Sequence, residues 1–537
     1  MRRFLDRFGF HLLFAVCLAA QLAPLFVSRY LPFHDAQGMA GLGGALIHRN
    51  DPAAHISDFY SFDIRAYPST FYLMWIWLLA KLHISIAPAT SAYCAFFIIG
   101  ALPLSIWAAA VAFGRPRWLS FLAFPVCYHQ QVWFGFLGSC AAIPGIFFAL
   151  ASARVLTVKP SWRPAVALAA SALFVALCHA LGFVMLLGLL APLAIARVPW
   201  RDTRRMLQTL GLRLACLVPA LIYLGPWLNN FTKDAPGVVV MPGSRWDHFK
   251  QNIRLAEGSL RDNIYLFWQW LGDGLRSDVD KWVAAATVAC TLIYLVVGAR
   301  VPLVEKDDPP PPGRAWLGWA ALIFAAGYFL LPQHIHWPTD WWGARQRFIL
   351  PLFLVGVVAA RPWRYGLDGR WMAIPIAISL FYGMFLTREL HLHWRREVTA
   401  GLTSAIRSIP PGQSVLYLNP HTGGALTLPH PYLLQYYVAE KGGFVMSGMK
   451  GHQEAMWVRP KSFPVGNPTW GRTALFQWTA HSKAYDYFVV EGPIPPAFLK
   501  AGPTGLVDVV YRGGPWSVFK KNPPPPPPPP LSLLITW

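Results

Sequence analysis

The sequence predicts an α-helical polytopic membrane protein of about eleven transmembrane helices with a small C-terminal α/β domain, and three features of it lead there. Of the 537 residues, 55% are hydrophobic and only 13% charged, about half the charged share of a soluble domain. Apolar stretches of near-spanning length recur from residue 8 to residue 386; a helix needs about 20 such residues to cross the hydrocarbon core. The net charge of +21 is gathered in short clusters between these stretches. That is how cytoplasmic loops look, not a basic groove, so no nucleic-acid partner is expected.

The expected spans are Phe8–Val27, Ser91–Phe113, Trp118–Val132, Gly138–Val158, Ala165–Leu177, Gly182–Ala196, Leu210–Leu228, Val283–Gly298, Ala315–Leu331, Phe348–Ala360 and Trp371–Leu386. The first is too long for a cleavable signal and lacks a small-x-small site, so it is read as a true span. With Arg2, Arg3 and Arg7 inside, the clusters Arg115/Arg117, Arg154/Lys159/Arg163, Arg197/Arg201/Arg204/Arg205, Arg300/Lys306/Arg314 and Arg361/Arg364/Arg370 all fall inside as well. Counting the apolar Ser69–Leu82 as a span would reverse every later loop. It is therefore expected to lie on the outer surface, with Tyr72, Trp75 and Trp77 at headgroup level.

The chain then divides into a transmembrane domain, 1–388, whose first outer loop (30–90) holds juxtamembrane helices, and an extracytoplasmic α/β domain, 389–522. In the latter, Val398, Leu402 and Ile406 recur at helical spacing. Strand-like runs follow at Ser414–Leu418, Tyr485–Gly492, "LVDVVYR" and "WSVFKK", the last two joined by a Gly513-Gly514-Pro515 turn. The proline run Pro523–Pro530 reads as an extended tether to a disordered end, 523–537. Seven cysteines all fall in apolar stretches, without disulfide or CxxC metal spacing, and are read as apolar filler.

This topology gathers chemically capable residues on one membrane face. The first outer loop holds His34, Asp35, His48, Asp58 and Asp63, and the next holds Tyr128-His129-Gln130-Gln131. His179 lies between two later spans, and "PQHIHWPTDWWGARQRF" supplies His334, His336, Asp340, Arg345 and Arg347. Each has a plainer reading. Asp35 would serve as the N-cap of a helix over Ala36–His48. His179 would bond a carbonyl; Arg345 and Arg347 would snorkel to headgroups. His334 and His336, without a further ligand motif, make a weak zinc site. The aromatic residues of the C-terminal domain (Tyr432, Tyr436, Tyr437, Trp457, Trp470, Trp478) read as its core before they read as a sugar platform. Convergence on one face favours the functional reading.

The opening "LPFHDAQ" after a first span, the aromatic helix introduced by Tyr67-Pro68, and the span-loop-span stretch "FLAFPVCYHQQVWFGFLGSCAAIPGIFFALA" resemble the GT-C superfamily of membrane glycosyltransferases. "LCHALGFVMLL" and "LLPQ…WWGARQRFILPLFL" are similar to bacterial membrane proteins related to those enzymes. The resemblance implies a GT-C-like arrangement in a bacterial inner membrane. It also implies a sugar donor on a polyprenyl phosphate, and transfer with inversion to an envelope glycan, lipid or protein acceptor. It places the general base on Asp35, phosphate or sugar contacts on His34, His129, Gln130, His179, His334, Arg345 and Arg347, and the N-terminus in the cytoplasm. His129-Gln130-Gln131 stands where many members carry acids, so no cofactor is assigned. A divalent metal stays open, with Asp58 and Asp63 as compensating acids. That departure also motivates an alternative, a non-catalytic scaffold or transport component for envelope polysaccharide. The sparsity of charge within the spans disfavours a secondary carrier.

Overall fold

The computed structural model describes residues 2–195, 198–230, 259–275, 277–299, 313–335, 341–360, 372–419, 431–446, 457–461, 476–481, 483–495 and 506–522. The proline run, the Arg361/Arg364/Arg370 cluster, His336, Asp340 and Trp470 lie outside these residues.

Among the described residues, five helices are long and apolar enough to cross a membrane: Phe8–Phe26, Ile86–Ala112, Leu137–Val158, Val279–Val297 and Ala373–Ser408. Thr203–Ala215 and Val218–Trp227, bent by 52°, make a sixth if taken as one span. Phe71–Lys81, Trp162–Cys178, Ala180–Pro192 and Ala315–Leu330 are apolar but shorter. We label the helices used below α1 (Arg2–Leu22), α2 (His34–Ile47), α3 (Phe71–Lys81), α4 (Leu137–Val158), α5 (Trp162–Cys178), α6 (Ala180–Ile195), α7 (Leu260–Gly272), α8 (Ile349–Ala359), α9 (Ala373–Glu389), α10 (Leu402–Ser408) and α11 (Gln435–Lys441). At 1.5 Å per residue, α3 is roughly 16 Å long, about half a hydrocarbon core.

One expected span takes a different form. Trp118–Val132 is a 3-10 segment, Arg117–Val126, followed by a turn and the single helical turn Gln130–Trp133. Pro125 lies inside the segment and can donate no backbone hydrogen bond. Every residue from Leu119 to Val126 is buried, which lets irregular backbone persist within an apolar bundle. Phe10 and Phe14 of α1 interlock with Trp118, Phe121 and Phe124 edge-on, at ring separations of 5.0–6.0 Å.

The four C-terminal runs read as strands form strands, and Phe444–Val445 adds a fifth that the sequence reading did not name. β4 (Ser414–Leu418), β5 (Phe444–Val445), β7 (Tyr487–Glu491), β8 (Val507–Gly513) and β9 (Trp516–Lys521) make one sheet in the order β5-β4-β7-β9-β8. β4 is parallel to β5 and β7, while β9 is antiparallel to β7 and β8. β4 and β7 are buried along their whole length, as the inner strands of such a sheet should be. The helix expected over the preceding segment is broken at Gly401, which takes φ +83°, before α10 resumes.

The first loop and the C-terminal domain are one packed body. β1 (Tyr60–Phe62) pairs antiparallel with β6 (Val458–Pro460). α2 lies on α11, and one apolar core runs from the helical bundle into the sheet. Arg29 meets Glu440 at 2.9 Å, and the Trp457 indole donates to the Arg65 carbonyl at 2.6 Å. Gly44 sets the α2–α11 distance, since a Cβ there would stand 2.3 Å from the Ala439 Cα and 2.5 Å from the Val438 carbonyl oxygen. Backbone cannot step aside as a side chain can, so Gly44→Leu is expected to cost about 3 kcal/mol. A thermal unfolding midpoint equal to wild type would contradict this account of the interface.

Candidate functional site

α2 begins at His34, two residues earlier than expected. Extended Phe33 is its cap residue, and no side chain caps the helix. Asp35 therefore does not act as an N-cap. It sits in the first turn, where the helix dipole favours an anion. The Asp35 amide donates to the Phe134 carbonyl at 2.9 Å, tying the first loop to the second. Gly135 makes that approach possible: its φ is +74°, and a Cβ there would lie 2.6 Å from the Asp35 nitrogen.

His34 Nδ1 lies 2.7 Å from Asp35 Oδ1. The two side chains are 8% and 15% exposed, so the pair is largely shielded from bulk solvent. Oδ2 takes no hydrogen bond among the described residues. Tyr432, from the C-terminal domain, sets its ring edge-on to His34 at 4.9 Å. Burial, reinforced by the Asp35 charge, pushes the Tyr432 hydroxyl far above its ordinary pKa and keeps it neutral.

A cation lies nearby. Arg345 and Arg347 lie on the 3-10 turn Arg345–Phe348 that opens α8, and each is only 5% exposed. They point inward, which overturns the snorkelling reading. Arg347 contacts His179 Nε2, donates to the Trp342 carbonyl at 3.2 Å, and places its guanidinium 4.6 Å from the Phe136 ring centre. Since arginine only donates, His179 accepts at Nε2. Burial lowers the Arg347 pKa to about 10, opposed by the charge of Asp35. The guanidinium remains charged at neutral pH. Among the described residues no ion pair within 4.0 Å joins it to Asp35, although the Asp35 charge acts on it, so the two lie near each other without direct contact. Among the described residues the Arg347 Nε has no hydrogen-bond partner, and neither does the fully buried amide of the neighbouring Gln346.

Asp35, His34, His179 and Arg347 are thus brought together by α2, the α5–α6 junction and the start of α8. His334 joins at the edge, through the β2 (His334–Ile335) and β3 (Trp341–Trp342) pairing that sets it opposite Trp342. Arg345 takes a different partner, donating to Asn263 Oδ1 of α7 at 3.1 Å. His129 and Gln130 start the turn that presents Phe134. Among the described residues, the buried His129 Nδ1 and Gln130 Oε1 have no hydrogen-bond partner. Among the described residues no group of three or more His, Cys, Asp or Glu could hold a metal ion. Tyr432, Phe134, Phe136, Trp270 and Trp342 escaped the sequence reading of this pocket. Phe134 stacks on Trp270 and Phe136 at 5.2 and 5.5 Å and meets Trp342 edge-on at 5.0 Å. The signal was present, in aromatics flanking Gly135 and in Trp341-Trp342 beside the arginines.

Burial holds the His129 pKa down at about 3. Below its ordinary value of 6.5 the unfolded chain gains a proton that the native chain refuses, so stability is full above pH 6.5 and falls as pH drops toward 3. By pH 4.5 the loss is on the order of a few kcal/mol. His129→Gln is expected to move the acid-unfolding midpoint to lower pH, followed by near-UV circular dichroism. An unchanged midpoint would contradict this.

The structure is similar to the crystal structure of ArnT from Cupriavidus metallidurans in the apo state, at a TM-score of 0.56 and 12% sequence identity, over 96% of this chain and 98% of that one. No protein-family model matches the sequence. No curated protein matches it. The likeness shows the fold alone: this chain folds as that ArnT structure does along nearly its whole length.

Proposed function

We propose that this GT-C-fold protein is a membrane glycosyltransferase that moves a sugar from a polyprenyl phosphate to a hydroxyl of an envelope glycan, lipid or protein. The observation that carries the reading is the placement of the Asp35 carboxylate near enough to act on the buried Arg347 guanidinium without pairing with it, within a fold shared with ArnT along nearly the whole chain. In this reading the bundle has about eleven spans. The pocket and the C-terminal domain face the extracytoplasmic side of the inner membrane, and the N-terminus is cytoplasmic.

The chemistry follows from these two charges. Asp35 Oδ1 is occupied by His34, and Oδ2 takes the proton of the acceptor hydroxyl. The acceptor oxygen attacks the anomeric carbon from the face opposite the lipid phosphate. As that bond forms, the bond from carbon to phosphate oxygen breaks and its electron pair leaves with the phosphate, inverting the anomeric centre. Arg347, held by His179, Trp342 and Phe136, is pre-oriented to stabilise that charge through its remaining N–H groups. The orphaned Gln346 amide suits a further contact to phosphate or sugar. No step in this scheme requires a metal.

Purified full-length protein, given a radiolabelled polyprenyl-phosphate sugar and candidate acceptors, should transfer label and release one polyprenyl phosphate per sugar moved. Tight binding of the donor with no transfer to any acceptor would assign the protein to the scaffold class instead.

A further inference from the structure

Away from the Asp35 pocket, α1 and α9 touch where a Cβ on Gly383 would lie 2.4 Å from the Ala20 carbonyl oxygen. Beyond that contact they part and leave an open groove of about 500 Å³. Ala23 and Val27 line the α1 side, and Met384, Arg388, His391 and Arg395 the other. The latter four recur at near-helical spacing along α9 and the π-turn Leu390–Val398 that continues it. The groove therefore changes character along its length. Its lower part is apolar, with Met384 63% exposed; its upper part carries two guanidinium groups and an imidazole. The nearby acids are engaged from outside it, with His393 3.5 Å from Glu389 and 3.2 Å from Glu397. Arg388 lies at the limit of contact with Glu389, at 3.5 Å. Among the described residues, the side chains of His391 and Arg395 make no hydrogen bond or ion pair.

Cationic groups placed where an apolar span gives way to polar sequence match a phosphate at the headgroup level with a hydrocarbon chain beneath it. A free anion would use only the upper half of the groove, and a neutral lipid only the lower. We infer that the groove is a binding site for one anionic glycerophospholipid, its phosphate on Arg388 and Arg395 and an acyl chain against Ala23, Val27 and Met384. This site is separate from the donor pocket and does not depend on sugar transfer.

Native mass spectrometry of the full-length protein, titrated with phosphatidylglycerol in detergent, tests the inference. Wild type should bind the first phosphatidylglycerol about thirtyfold more tightly than R388Q/R395Q, as expected from about 1 kcal/mol for each of the two interfacial arginines. It should also prefer it to phosphatidylcholine by a similar factor. Met384→Trp, which fills the apolar end and keeps every charge, should weaken binding as well, and it keeps the test decisive if the arginine variant fails to fold. Equal affinity in wild type and the folded variants would overturn the inference, as would indifference to the headgroup. Displacement by inorganic phosphate would reduce the site to a bare anion site, and displacement by polyprenyl phosphate would make it part of the donor path. Either result also overturns it.

Discussion

Asp35→Asn should lower the rate of sugar transfer by about 10³-fold, within the span that a positioned general base contributes. The substitution is nearly isosteric. Its amide oxygen can still accept from His34 Nδ1, and the Asp35 backbone bond to the Phe134 carbonyl does not involve the side chain. Thermal stability should therefore change little, and donor binding should survive while turnover is lost. Those paired readouts distinguish the loss of a proton acceptor from collapse of the pocket. A variant that transfers sugar at the wild-type rate would remove Asp35 from the mechanism. Tyr432→Phe offers a milder companion, since it keeps the edge-on ring against His34 at 4.9 Å and should retain most activity.

Arg347→Met has the second largest expected effect. It removes the buried cation on which the Asp35 charge acts, and the loss of a donor to developing charge is worth about 10²–10³ in turnover. It also leaves the Trp342 carbonyl and His179 Nε2 without their donor, a cost of about 1–3 kcal/mol for each buried group. Arg347→Lys separates these contributions. A lysine restores charge but cannot fork between His179 and Trp342 while lying flat on Phe136. Its activity should stay close to that of the methionine variant, read as kcat/KM for the polyprenyl-phosphate donor. Recovery to within threefold of wild type would show that charge alone suffices and that the fork is unimportant.

Much of this architecture can be read in the amino-acid pattern, because the bilayer allows few alternatives. Apolar length and the placement of arginine indicate a polytopic bundle, and strand-like runs with a Gly-Gly-Pro turn indicate β4, β7, β8 and β9. Trp118–Val132 shows where composition misleads. It is apolar enough to span, yet Pro125 and complete burial produce a 3-10 segment enclosed by protein. Individual chemical residues were legible by type, and their partners were not. Nothing local to "LPFHDAQ" says that Tyr432, some 400 residues away, closes over His34, or that Gly44 admits the helix that follows it. Nor does "GARQRF" say that its arginines turn inward. That follows from the partners awaiting them, His179, the Trp342 carbonyl and Asn263. Long-range pairing decides the pocket, and sequence spacing carries little of it.

The central claim is geometric: a lipid-borne phosphosugar fills the gap between the Asp35 carboxylate and the Arg347 guanidinium. The most direct measurement is a cryo-electron microscopy structure of the full-length protein in nanodiscs with polyprenyl phosphate. The account predicts phosphate density within about 3 Å of the Arg347 guanidinium, with Asp35 Oδ2 directed at the space the sugar would take. Phosphate density elsewhere in the bundle, with the gap filled by side chains or open only to solvent, would contradict it.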